Sequence, residues 1–281
     1  MNAPILEMKD IVKIYGGTKA LNNANLKIQL GEVHALMGGN GAGKSTIIGI
    51  IAGSKKADGG KIIYKGEEIV FKTPRDAMQK GIAVVYQELS LIPHLSIAEN
   101  IALIRDEVHS SSIFKWKSAY DNARRALELL GDAGKELKPE DTVENLRADQ
   151  KQMVELARAL SLDAKIILLD EPTSSLNFNE TQQLFNVIRR LCQQGIGVIF
   201  VSHKMDELRD IADRITIFRD GVAVVEGALM SEKSDEEIIE DMLGRKMESM
   251  ELMDPDEYLK VEKAPELLRI KYENVRTEIV L

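Results

Sequence analysis

Four apolar runs in this chain do not alternate with polar residues. They are "EVHALMG" (32–38), "GIAVVYQ" (81–87), "AKIILLDEP" (164–172) and "GIGVIFVSH" (195–203). Each is short, rich in Val, Ile or Leu, and bounded by glycine, proline or charge. A strand that is apolar on both faces belongs in a parallel sheet covered on both sides. Val33, Ala35 and Met37 share one face of the first run. Between the runs the period changes to that of a helix. "STIIGIIAG" (45–53) predicts a helix stopped by Gly53, and "SAYDNARRALELLG" (118–131) sets Ala119, Ala123, Ala126, Leu127 and Leu130 on one stripe. Residues 90–160 read as a mostly helical insertion between two halves of the sheet. Two hairpins are predicted. "KIIYKGEEI" (61–69) turns at Gly66, and "RITIFRDGVAVVEG" (214–227) turns at Asp220-Gly221, a pair suited to two successive positive φ angles. After Arg245 a Met-, Glu- and Lys-rich stretch predicts a helix tail and a linker (246–263).

Composition narrows the class. With 281 residues, 44% apolar and 29% charged, the chain suits one large or two modest globular domains. A formal charge of −8 argues against a broad nucleic-acid surface, which needs a basic face, but leaves room for a local anion site. Cys192 is the only cysteine, so no intramolecular disulfide forms, and its helical surroundings predict a buried, inert thiol. "MNAPILEMKD" carries no basic-then-apolar leader, and no apolar run approaches the roughly 20 residues of a spanning helix. A cytoplasmic location is expected, with a membrane partner still open.

The chemistry begins at "GGNGAGKST" (38–46). Gly38, Gly43, Lys44 and Ser45 match G-x-x-x-x-G-K-[ST], placed after a predicted strand and before a predicted helix, the context a phosphate loop requires. Its glycines let backbone N–H groups close on phosphate oxygens, the helix N-terminus adds positive potential, Lys44 reaches the β- and γ-phosphates, and Ser45 can ligate Mg²⁺. "IILLDEP" (166–172) leaves Asp170 and Glu171 at the C-terminal end of a strand, where ligands sit in open α/β sheets. Asp170 can hold Mg²⁺ and Glu171 can take a proton from attacking water. Gln87 and His203 each end a predicted strand, and each taken singly reads as an ordinary surface or structural residue, as do His34, His94 and His109. Tyr15 suits either an edge strand or an adenine-stacking surface.

The phosphate loop, Gln87, the helical insertion, "LRADQKQMVELARAL" (146–160), "LLDEPTSSL" and "VSHKMDEL" follow one another in a fixed order. That order resembles the ATP-binding cassette ATPases over residues 5–245. "VVYQELSLIPHLSIAENI", "QMVELARALS", "DRITIFRDG" and "MLGR" look like the sugar-importer branch, in which one polypeptide usually carries two cassettes. The resemblance implies a P-loop NTPase fold: a parallel core sheet, an antiparallel flanking sheet and a helical subdomain. It implies an ATPase on the cytoplasmic face of the membrane, coupled to permease subunits and, through them, to a periplasmic or extracellular solute-binding protein. By resemblance Tyr15 stacks on adenine. Gly38, Gly39, Asn40, Gly41, Ala42, Gly43, Lys44, Ser45 and Thr46 hold the triphosphate. Gln87 senses the γ-phosphate and Mg²⁺, Asp170 serves the metal, Glu171 polarises water and His203 is the switch. Ser174, Ser175 and Leu176 match the loop that crosses between cassettes, with Asn177 where many members have Asp. Gly39 stands where such importers usually carry Glu. The rival classes are a soluble cassette protein acting on ribosomes or DNA, and a module that holds ATP without hydrolysing it.

Two letters depart from the family. Its signature, close to L-S-G-G-Q, grips the γ-phosphate of the opposing cassette, and here it reads Leu146, Arg147, Ala148, Asp149, Gln150. Arg147 either meets phosphate or holds the cassettes apart. Asp149 repels phosphate, or, with Gln152 three residues on, forms a capping box on a helix 150–160. One competent and one weak site would explain both letters. Finally, "APELLRIKYENVRTEIVL" (264–281) echoes "APILEMKDIVKIYGGTKAL" (3–21). The echo predicts the first strand of a second cassette, in a protein about twice this length; a tail packed on the domain is the alternative.

Overall fold

The four apolar runs lie side by side. In the computed structural model, which describes residues 3–109 and 116–244, they form β3 (Val33–Gly38), β6 (Ile82–Val85), β7 (Ile166–Asp170) and β8 (Gly197–Val201). With β9 (Arg214–Arg219) and β10 (Val222–Leu229) they make a six-stranded sheet in the order β10-β9-β3-β8-β7-β6. β3 pairs in parallel with β8 and β9, and β7 in parallel with β6 and β8; only β10 runs antiparallel to its neighbour. The lack of alternation has a direct cause. Val33, Ala35, Met37, Ile167, Leu169, Val198 and Phe200 enter one apolar cluster, while Leu36, Ile166, Leu168, Ile199 and Val201 enter the other. Burying both faces removes any solvated side on which polar residues would be favoured. Phe185 and Phe200 meet edge to face at 5.8 Å, each side chain contributing roughly 1.5–3 kcal/mol of transfer free energy.

One face packs against α3 (Ile97–His109), α4 (Trp116–Leu129), α6 (Ala148–Leu160) and α7 (Phe178–Gln193), the other against α1 (Lys44–Ile51) and a second sheet. That second sheet is antiparallel, with β1 (Leu6–Tyr15), β2 (Thr18–Ile28), β4 (Gly59–Tyr64) and β5 (Glu67–Ile69) in the order β2-β1-β4-β5. Both predicted hairpins form. Lys65 and Gly66 have φ of 53° and 83°, and Asp220 and Gly221 of 50° and 78°, the signs a right-twisted two-residue turn needs. In the insertion, Ala119, Ala123, Ala126, Leu127 and Leu130 are buried as their spacing predicts.

The boundaries differ from expectation in one consistent way. The strands stop short of the predicted ends, leaving Gln87, Glu171 and His203 on irregular backbone beyond β6, β7 and β8. α1 also ends before Gly53, whose φ of 72° turns the chain so closely past Thr73 that an added Cβ would lie 2.4 Å from its carbonyl oxygen. Cys192 is buried in α7; burial, with lesser help from the charges of Asp213 and Glu32, pushes its thiol up to about 12, so it is inert. The described residues as far as Gly244 form one compact unit, and none of their helices is long and apolar enough to cross a membrane. The predicted linker (246–263), the strand at 264–281 and the side chain of His109 lie outside the described residues.

Candidate functional site

The loop 38–43 connects the central strand β3 to α1, and two glycines are needed there by close approach. A Cβ on Gly38 would sit 2.3 Å from the Phe218 carbonyl oxygen, and one on Gly43, with φ of 108°, 2.7 Å from Leu21 Cδ2. Gly39 faces open space, so the side chain usual there by resemblance would fit without a clash. The loop is closed by Ala42 N–H donating to Gly39 O (3.2 Å) and by Gly221 N–H donating to Ala42 O (3.1 Å). Ala42 and Thr46 are buried, and Asn40, Gly41 and Ser45 are exposed. No side chain caps α1 and no acid occupies its first turn, so its positive end is left for an anion.

Lys44 folds back over the loop, its Nζ donating to the carbonyls of Gly38 (2.6 Å) and Gly39 (3.1 Å). Burial pushes its ammonium below the usual range, against the opposing pull of Glu171 and Asp170. Asp170 is shifted the other way: burial raises it, the charge of Glu171 adds to the rise, and Lys44 resists. Two carboxyls and one ammonium thus compete for charge in a partly desolvated space, an arrangement that an incoming polyphosphate with a divalent cation would relieve. The donor set fits such a cation, since Mg²⁺ takes few protein ligands and completes its shell with water and phosphate. Ser45 and Asp170 are the candidate ligands, with Gln87 exposed two residues beyond β6, the strand beside β7.

Glu171 has φ of 47°, a left-handed conformation costly for a residue with a Cβ. Its N–H donates to Val201 O (2.9 Å), and its Oε1 lies 3.1 Å from His203 Nδ1. The acid after β7 and the histidine after β8 are therefore a hydrogen-bonded pair, joined across 32 positions by strand pairing. Tyr15 ends β1, about half exposed. Lys55 Nζ lies 6.0 Å from the ring centroid and donates to Ser45 O (3.2 Å), so the ring is linked to the first turn of α1.

The signature segment corrects one expectation. α6 begins at Ala148, not 150, and its N-cap is Arg147; Gln150 Oε1, not Gln152, reaches back to the Arg147 N–H (3.1 Å). Asp149 lies within the first turn and cannot cap. It accepts instead from Arg147 Nε (3.1 Å) and Nη2 (2.9 Å), a bidentate pair that cancels the charge expected to repel phosphate. Asn177, by contrast, is a full N-cap: its Oδ1 accepts from Glu180 N–H (3.1 Å), while Glu180 Oε2 accepts from Asn177 N–H (2.8 Å). Asn caps as well as Asp, which accounts for the substitution.

Two polar networks escaped the sequence reading. Glu155 Oε1 accepts from Ser90 N–H (2.7 Å) and Oγ (3.1 Å), and Arg158 Nη1 donates to Ser90 and to both Glu155 oxygens, tying α6 to the segment after Gln87. Thr173, Ser202 and Glu207 form a second knot beside Glu171 and His203. The signals were present: Glu155 and Arg158 interrupt an apolar stripe three residues apart, and Glu207 lies one helical turn beyond His203.

Residues 21–174 match the family model described as ABC transporter. A protein of Agrobacterium fabrum named "Putative ribose/galactose/methyl galactoside import ATP-binding protein 1" is 43% identical over 244 residues, covering 87% of this chain and 47% of its own length. The protein of the same name from Burkholderia ambifaria is 41% identical and covers 87% and 46%. The chain spans about half the length of these curated relatives. Among solved structures, the ADP conformation of an ATP-binding cassette of an ABC transporter aligns with a TM-score of 0.75 at 26% identity, covering 87% of this chain and all of that one. A nucleotide-free cassette aligns at 0.73 and 25% identity, covering 93% and 99%. A glycine-rich loop at the end of a central parallel strand, an acid–histidine pair on the neighbouring strand ends and this match across most of the chain agree: the chain belongs to the ABC transporter family.

Proposed function

We propose that this chain is an ATP-hydrolysing cassette of an importer, with a monosaccharide as the transported class, working at the cytoplasmic face of the membrane against permease subunits. The carrying observation is the meeting of Lys44, Asp170 and the Glu171–His203 pair at the C-terminal edge of one sheet. Support for the sugar comes from the names of the two relatives.

In this reading residues 38–46 bind the triphosphate, Lys44 leaves its loop carbonyls for the β- and γ-phosphates, and Tyr15 stacks on adenine. Mg²⁺, held through Ser45, Asp170 and Gln87, would neutralise charge on the phosphoryl group. Glu171 orients water and takes its proton, and His203 holds Glu171 in place through Nδ1 while its exposed ring faces the γ-phosphate. Little of this is covalent work; positioning and charge stabilisation supply most of the rate.

The cassette boundary is placed near residue 245, with 246–263 as linker and 264–281 opening a second cassette. A solute-binding protein acts through the permease. Arg147, already engaged by Asp149, is withheld from a facing phosphate, which supports an asymmetric arrangement, in which this chain's own loop is served by another signature and its own signature serves a weaker site. The test is phosphate release from Mg-ATP by the purified chain at high protein concentration, with calorimetric ATP binding alongside. Slow release is expected in the wild type. Lys44→Ala should lose both release and binding while remaining folded; equal ATP affinity in the variant would remove the loop assignment, and wild-type release no higher than the variant's would remove hydrolysis.

A further inference from the structure

The Glu171–His203 pair joins two irregular segments, and something must hold each at the right height. The left-handed backbone of Glu171 makes its side-chain direction sensitive to how the next residues of the chain are anchored. Two residues on is Thr173, 2% exposed; immediately before His203 is Ser202, 5% exposed. Both hydroxyls donate to one oxygen, Glu207 Oε2, at 2.7 Å from Thr173 Oγ1 and 2.9 Å from Ser202 Oγ.

The polarity of this knot is unambiguous. Ser202 Oγ accepts from Lys204 N–H (3.1 Å), so its own hydrogen is free for Glu207. Glu207 Oε1 takes Lys204 Nζ (2.9 Å), and the carboxylate side chain is only 11% exposed. An ionised carboxylate is acceptor-only, so it satisfies two buried hydroxyls and an ammonium at once, and such charge-assisted bonds are stronger than neutral ones. A neutral amide in its place could turn its oxygen to the hydroxyls only by pointing its NH₂ at an ammonium.

We propose that Glu207 is a positioning residue that sets the Glu171–His203 geometry by clamping Thr173 and Ser202 together. It touches neither nucleotide nor water in this scheme; it acts through the two segments it joins. The inference rests on the hydrolytic reading above for its effect on turnover, but the geometric claim stands without it.

Two arms test it on the 281-residue chain. In the first, Glu207→Ala is compared with wild type for Mg-ATP turnover. Loss of about 10²-fold in kcat is expected, the scale of an ångström-level misplacement, with KM within about threefold because the phosphate loop is untouched. Glu207→Gln should recover part of the loss. In the second, needing no turnover, the His203 imidazole resonance is tracked by NMR without nucleotide and assigned by its absence in His203→Gln. It should move or broaden in Glu207→Ala, while that of His34, on the neighbouring strand β3 but level with Ile199, four residues before His203, stays in place. The pair Thr173→Val with Ser202→Ala removes the donors but leaves Glu207, and should reproduce both effects if Glu207→Ala fails to fold. An unmoved His203 resonance, or kcat within twofold of wild type in a chain that hydrolyses ATP, overturns the proposal. A wild type without turnover whose His203 resonance still moves in the variant overturns the hydrolytic reading and leaves the clamp standing.

Discussion

Acid should destabilise this protein in part through one histidine on the strand that leads into the loop 38–43. His34 lies on β3, fully buried, its Nε2 2.8 Å from Thr216 Oγ1. Thr216 Oγ1 also accepts from Gly227 N–H (3.0 Å), and His34 Nδ1 is buried without a hydrogen-bond partner among the described residues, so the second N–H of an imidazolium would be left unpaired and a neutral imidazole is the species that fits. Burial, with a smaller contribution from Arg214, lowers its pKa from 6.5 to about 3. Below about pH 6.5 the unfolded chain therefore binds a proton at this residue that the folded chain refuses until about pH 3. Stability falls as pH drops through that window and the contribution levels off beneath it. At 1.36 kcal/mol per pH unit, the loss from His34 between about pH 7.5 and pH 5 is about 2 kcal/mol. Urea denaturation of wild type and His34→Leu at both pH values isolates it. The variant lacks the titrating group, so the other histidines and the carboxylates cancel in the difference of slopes; its lost hydrogen bond lowers stability at both pH values alike. Equal pH dependence in the two proteins would refute the reasoning and mean that His34 is protonated, or reaches water, in the fold.

The proposed nucleotide site yields three more expected outcomes. Glu171→Gln should bind ATP with unchanged affinity and lose turnover, since the amide keeps the size but cannot accept a proton; turnover within twofold of wild type would exclude Glu171 as the base. Arg147→Ser with Asp149→Gly should raise phosphate release at high protein concentration, and no gain in a folded double variant would mean the segment works as written. Gly38→Ala, whose Cβ meets the Phe218 carbonyl at 2.3 Å, should cost more than about 2 kcal/mol of stability by denaturant titration and weaken ATP binding; a neutral effect would show that the loop relaxes freely.

Much of the fold was legible because it rests on local rules. Apolar runs without alternation require two covered faces, and the sheet lies between two clusters. Asp220-Gly221 carries the φ preference its turn needs, and the phosphate loop is a contiguous motif whose spacing matters more than its surroundings. Local rules misjudged the termini. Asp149 looked like a cap because its chemistry suits one, yet α6 starts at Ala148 and turns Asp149 toward Arg147, where an ion pair replaces the cap. The strands read too long at Gln87, Glu171 and His203 because an apolar run does not say where its neighbours stop pairing.

What tertiary structure alone decided is which chemistry meets which. Glu171 and His203 are 32 positions apart, Thr173 and Glu207 34, and Ser90 and Glu155 65. No period or local propensity connects residues at such separations. They meet because β6, β7 and β8 are neighbours in the sheet, so their C-terminal ends present Gln87, Glu171 and His203 along one edge. A polar residue by itself in sequence has no assigned partner. Once folding excludes water from it, the cost of an unpaired buried group selects one partner, and strand order determines which groups are within reach.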